Sequence, residues 1–123
     1  MSDPLLIKDF LLPLNVATVL GDEELNAQQL GVHIKSYADE FPDLDAAELV
    51  LLGITEERGT GNGIKNSEAP NVIRRNLYRL FNWHADIAIA DIGNIKTGAT
   101  VTDTYAAAKA VIAELIAQQK TVI

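Results

Sequence analysis

Apolar and polar positions along this chain follow two periods. Leu49, Val50, Leu51 and Leu52 form an unbroken apolar run that ends at Gly53. A short run of this kind, closed by a glycine, predicts a strand over 47–54 that is covered on both faces, as in a parallel sheet. Further on, Ile73, Leu77, Leu80 and Phe81 recur at i, i+4, i+7 and i+8. That spacing predicts a helix over 70–82 with this stripe buried and with Arg74, Arg75 and Arg79 on a solvated face. Residues 86–93 predict a second strand, in which Ile87 and Ile89 alternate with the small Ala88 and Ala90. A helix then runs from a cap at Thr100 or Thr102 to about Gln119, its buried stripe Ala108, Val111, Ile112 and Leu115, its alanines favouring the helical state. Residues 120–123 read as the onset of a third strand.

The first part of the chain is less periodic. Residues 1–21 are apolar but broken by Pro4 and Pro13. They form either a short helix that completes the core or an arm laid over the sheet or over a partner, and the core role is favoured. Residues 22–37 predict a helix, with Asp22 as its cap and Glu23 and Glu24 in the first turn. Leu25, Leu30 and Ile34 give it a partial apolar stripe, and Gly31 weakens it.

The predicted order divides the chain into an arm and helix over 1–45 and a β-α-β-α-β portion over 46–123. Alternating strands and helices specify an α/β protein, doubly wound or half of a doubly wound fold. Three strands make a small parallel sheet with open edges. The chain is therefore expected to belong to a longer protein, to self-associate through a sheet edge, or to cover that edge with its N-terminal arm.

Composition narrows the function classes. The chain has 123 residues, a net charge of -7 and no cysteine, and its pI is about 4.6. An acidic surface argues against nonspecific binding to nucleic acid or to anionic membranes. Disulfides and thiolate chemistry are excluded. The N-terminus lacks the basic and apolar regions of a secretory signal, and no apolar run approaches the roughly 18 residues that span a bilayer. A cytoplasmic location is the default expectation.

Candidate chemistry centres on the loop after the first predicted strand, because ligands of open parallel sheets collect outside the carboxyl ends of strands. The loop carries Glu56, Glu57 and Arg58, then Gly59, Gly61 and Gly63, with Asn66 or Ser67 to cap the next helix and Pro70 in its first turn. Its glycines miss both phosphate-binding patterns. The third comes one position early for Gly-x-Gly-x-x-Gly, and no Gly-Lys-Ser/Thr is present. An Asn-Gly turn at Asn62-Gly63 accounts for them instead. His33 and His84 have no ligand-like neighbourhood, so no metal site is read; Trp83 and His84 are given a structural role at a helix end. A carboxylate pair of Asp91 with Glu56 or Glu57 is geometrically allowed and has no further support.

Two short motifs, Ala69-Pro70-Asn71-Val72-Ile73-Arg74 and Asp91-Ile92-Gly93-Asn94, follow the Leu-Gly-Ile strand end in order. Together with the final Lys120-Thr121-Val122-Ile123 they resemble the N-terminal portion of the ureohydrolases, the superfamily of arginase, agmatinase and formimidoylglutamase, over about residues 46–123. The formimidoylglutamase-like branch is the nearest. The resemblance implies a three-layer α/β/α fold and hydrolysis of C–N bonds in guanidino or formimino groups by a hydroxide that bridges two Mn²⁺ ions. The family's metal ligands lie in Gly-Gly-x-His-Asp, Asp-x-His-x-Asp and Asp-x-Asp segments. The first of these is expected directly after Ile123, and none is in this sequence. By this resemblance the chain alone holds no catalytic residue and no metal ligand, and its partner is the remainder of the parent. Arg58, Asn62, Asp91 and Asn94 are the expected cleft residues, in a supporting role. The alternative is a stand-alone flavodoxin-like module that binds a small ligand at its glycine loop or serves assembly.

Overall fold

The computed structural model describes residues 7–58, 67–82 and 86–123. Their elements with defined bounds are β1 (Leu11–Leu12), α1 (Val16–Leu20), α2 (Leu30–His33), β2 (Lys35–Ser36), β3 (Leu49–Gly53), α3 (Ala69–Tyr78), β4 (Ile89–Ile95), α4 (Val101–Ala117) and β5 (Thr121–Val122). The strands form one open, mostly parallel sheet in a mixed α/β fold. β3 and β4 pair in parallel at its centre, and β5 pairs in parallel with the outer side of β3. The other side of β4 is shared by two short strands: β2 runs parallel beside Ala90 and Asp91, and β1 runs antiparallel beside Asn94 and Ile95.

Alternation along the strands sends side chains into two buried clusters. Val50, Ala90 and Ile92 join Ala108, Val111 and Leu115 of α4, together with Ile7 and Leu11. Leu51 joins Tyr78 of α3, with Leu14, Val19 and Ile34. α4 begins at a complete capping box, in which Thr100 accepts the amide of Asp103 and the Asp103 carboxylate accepts the amide of Thr100. Ser67 serves the start of α3, its hydroxyl accepting the Ala69 amide at 3.0 Å. No helix among the described residues is long and apolar enough to cross a membrane.

Two expectations are corrected. The helix expected over 22–37 is reduced to the four residues of α2. Residues on either side of it are taken by tertiary pairing: Gln29 bridges Phe81, and Lys35 and Ser36 join the sheet. Gly31 sits against Tyr78 and Leu25, where a Cβ would overlap both side chains, so packing rather than helix propensity fixes this segment. The second correction concerns α3. Ile73, Leu80 and Phe81 of the expected core stripe are 65%, 55% and 62% exposed, and Arg74 and Tyr78 are buried in their place. Of the three arginines expected on a solvated face, Arg74 is buried and Arg75 half-buried, while Arg79 is exposed. Arg75 donates to the Val19 carbonyl at the end of α1, and Arg79 pairs with Glu23 at 3.3 Å.

Candidate functional site

Polar side chains gather where β3 and β4 end, in two networks. The first is built on Asp91, which lies inside an apolar strand and has no solvent exposure. A buried carboxylate is stable only when paired and hydrogen-bonded. Here the guanidinium of Arg74 meets it with two prongs, Nε to Oδ2 at 2.8 Å and Nη2 to Oδ1 at 3.1 Å. The Tyr78 hydroxyl donates to Oδ2 at 2.6 Å and the Gly93 amide to Oδ1 at 3.1 Å. Each carboxylate oxygen thus accepts two hydrogen bonds, which fills its acceptor capacity.

Arg74 is used as fully. Besides Asp91, its Nη2 donates to the Gly93 carbonyl at 2.8 Å, and its Nη1 to Asn94 Oδ1 at 2.7 Å and Asn71 Oδ1 at 3.4 Å. All five guanidinium donors are therefore engaged. Burial, followed by the neighbouring Asp91 carboxylate, pushes the Tyr78 hydroxyl well above the usual phenol range, so Tyr78 acts as a donor to Asp91. Ser36 of β2 reaches the same hydroxyl at 3.2 Å.

Backbone irregularity makes room for this network. Leu51 pairs with Asp91 while Gly53 pairs with Asn94, so β4 holds one extra residue there. The bulge falls at Gly93, whose φ of 82° lies in the left-handed region and whose Cβ would strike the Leu12 carbonyl of β1. Asn94 is thereby turned over Gly53. A Cβ at Gly53 would overlap Asn94 Oδ1 and crowd both terminal nitrogens of Arg74.

The second network joins the loop after β3 to the start of α4. Glu56 has a fully enclosed side chain. Arg58 lies against it, with Nη2 at 2.6 Å from Oε1 and Nε at 3.0 Å from Oε2. The Arg58 amide and the Thr104 hydroxyl, each at 2.9 Å, complete the carboxylate's shell. Hydrogen bonding from Arg58, which outweighs the opposing effect of burial, lowers the Glu56 pKa from 4.5 to about 2. Arg58 also donates to the carbonyls of Ala99 and Gly98, at 2.9 and 2.7 Å.

Of the expected cleft residues, Asp91 and Asn94 meet in the Arg74 network, whereas Arg58 belongs to the Glu56 network. Asn62 lies outside the described residues, as do residues 59–66 of the glycine loop, Trp83 and His84. Glu56 stands with Arg58 and Thr104, and Asp91 with Arg74 and Tyr78, so each carboxylate has a cation beside it. The apolar pattern puts Arg74 on a solvated face and gives no role to Tyr78, so both are missed by it. Their signal is Asp91 itself: a charge inside an apolar strand demands a buried cation, and Arg74 and Tyr78 stand one helical turn apart on the preceding helix.

Among the described residues no group of three or more His, Asp or Glu side chains is placed to hold a metal ion. Asp91, with both oxygens saturated by protein donors, has no electron pair to offer one.

Beside β5 a trough of about 540 Å³ opens between α3 and the sheet, lined by Leu30, Leu49, Leu51, Leu77, Phe81 and Ile123 among others. It continues along α3 past Ile73 and Pro70. Among the described residues its walls carry no constellation of polar groups for chemistry. Comparison with family models, with curated proteins and with solved structures returns no match.

Proposed function

We propose that this chain is the N-terminal α/β portion of an arginase- or formimidoylglutamase-like manganese-dependent hydrolase of amidine or guanidine C–N bonds, and that it is not catalytic by itself. One observation carries the reading. The two motifs behind the resemblance, which stand 17 positions apart when counted from Arg74 to Asp91, are joined by the buried network of Arg74, Asp91, Gly93 and Asn94. The network gives those residue types at those positions a common physical purpose, which is to lock α3 onto the carboxyl end of β4. The three-layer α/β/α arrangement belongs to the same reading. It is supported by strand side chains that alternate between the α4 cluster and the α3 cluster.

Within such a protein the residues of this chain support the cleft and do not react. Asp91 and Asn94 hold Arg74, and Arg58 holds the rim loops. The manganese ions, when bound, would supply the activated water and stabilise developing charge, and the residues described here do not fit them as ligands. The test is the reading frame past codon 123, followed by expression of its full product. The expected result is a Gly-Gly-x-His-Asp segment next to Ile123, later Asp-rich segments, two bound Mn²⁺ and release of formamide from formimino substrates or urea from guanidino substrates. A frame that lacks those segments overturns the proposal.

A further inference from the structure

The structure assigns to Glu56, Arg58 and Thr104 a latch that fastens residues 54–58, directly after β3, to residues 96–100 before α4, so that these two described segments at the carboxyl end of the sheet hold one another in place. This goes beyond the hydrolase reading and stands without it. Glu56 and Thr104 are 48 positions apart in the chain, and Arg58 and Gly98 are 40 apart. Their contacts are therefore tertiary and not a product of local turn formation.

Three features make the arrangement a latch and not an incidental ion pair. The bonds form a closed ring. Thr104 donates to Glu56 Oε1 and accepts the Gly98 amide at 2.8 Å, the Gly98 carbonyl accepts Arg58 Nη2, and the same nitrogen returns to Glu56. Each group thus orients the next, and removing one leaves its neighbours misdirected. The carboxylate is enclosed while Arg58 keeps 26% exposure, so the charge pair is shielded on the acidic side, where solvent would otherwise compete. The approach is also close: a Cβ on Gly98 would run into the Cβ of Asp103 and crowd the Thr104 amide. The glycine lets the loop backbone lie against the first turn of α4, where its carbonyl meets Arg58.

The test is amide hydrogen exchange, followed by NMR on the 123-residue chain and its variants Glu56→Gln and Thr104→Val. The latch requires that Glu56→Gln speed exchange at Gly98 and Arg58 by at least about tenfold, while Val50 and Ile92 in the central strands keep their rates. Thr104→Val acts on the same ring, so the double variant should exchange at Gly98 no faster than the quicker single variant. Arg58→Lys, which keeps the charge but loses the fork, should give the same local pattern and serves if Glu56→Gln does not fold. Unchanged exchange at Gly98 overturns the latch. So does an equal rise at Val50 and Ile92, which reports general destabilisation.

Discussion

Arg74 on α3 and Asp91 on β4 form a two-pronged ion pair whose side chains are 5% and 0% exposed, with Nε and Oδ2 2.8 Å apart. The pair fixes how α3 lies on the sheet, because the guanidinium also reaches Gly93 and Asn94 at the end of the same strand. A plain apolar contact would tolerate sliding along the strand; four directed hydrogen bonds to β4 do not. Removing one partner leaves the other charged and enclosed. Arg74→Ala is therefore expected to cost about 3–5 kcal/mol in urea unfolding. Replacing both partners by apolar residues, Arg74→Met with Asp91→Leu, is expected to cost less than the single change. A single-variant loss below about 1 kcal/mol would mean that water reaches Asp91.

Gly53 is the floor on which this network rests. Gly53→Ala places a methyl group where Asn94 Oδ1 and the terminal nitrogens of Arg74 lie, and overpacking of this kind costs about 1–3 kcal/mol. Adding Asn94→Ala removes the nearest obstacle, so the double variant is expected to be more stable than the sum of the single effects predicts. A double-mutant cycle in urea measures the coupling, and strict additivity would place the two groups out of contact.

The central elements were legible because their signals are local. The apolar run that closes at Gly53 marks β3, and the Thr100 cap with Asp103 three residues on marks the start of α4. What could not be read was decided by partners distant in the chain. Lys35 and Ser36 look helical beside Ile34 but pair with β4. Ile73 and Phe81 look buried by period, yet α3 turns Arg74 and Tyr78 inward because Asp91 needs them. Of the site, Asp91, Asn94 and Arg58 enter as cleft residues through the ureohydrolase resemblance. The sequence offers Glu56 only as one of a possible pair of reactive carboxylates, because its place in a ring with Thr104 depends on a contact spanning 48 residues.

Acid should loosen the contact of Glu56 with Arg58 and Thr104 only as pH falls from about 4.5 towards about 2. The Glu56 pKa is lowered from 4.5 to about 2 by Arg58 and Thr104. A folded value below the unfolded one means that the ionised group contributes stability in full above the unfolded pKa and loses it as pH falls towards the folded one. Glu56→Gln should therefore flatten the dependence of unfolding stability on pH between about 4.5 and about 2 relative to the parent. Parallel pH profiles for the two proteins would show that the charge of Glu56 is not what the ring depends on.

At the alkaline end the sign reverses. Burial and Asp91 raise the Tyr78 pKa above its ordinary value of 10.0, so the protonated phenol contributes stability below that pH, and the contribution is lost as pH rises beyond it. Tyr78→Phe should lower stability at neutral pH by about 1.5–3 kcal/mol, the range for a hydrogen bond to a charged group, while flattening the loss above pH 10.0. A tyrosinate absorbance change that accompanies unfolding in the parent and vanishes in the variant identifies the group. The prediction fails if the alkaline limb keeps its slope in Tyr78→Phe.

Ile73 and Phe81, at 65% and 62% exposure, border the apolar trough beside β5. In the 123-residue chain they hold little in place, so Ile73→Lys and Phe81→Lys should leave urea-unfolding stability within about 0.5 kcal/mol of the parent. An exposed apolar surface of this kind promotes association, so the same substitutions should reduce light scattering at high protein concentration. The proposed parent protein gives the opposite expectation for stability. If further elements of a longer chain seat on this face, each lysine buries a charge there without a partner and costs several kcal/mol. Measuring both substitutions in the short chain and in the full product separates the cases: neutral in the first and costly in the second supports a longer fold closed over α3. Neutral effects in both would leave the trough open in the parent and count against the hydrolase reading.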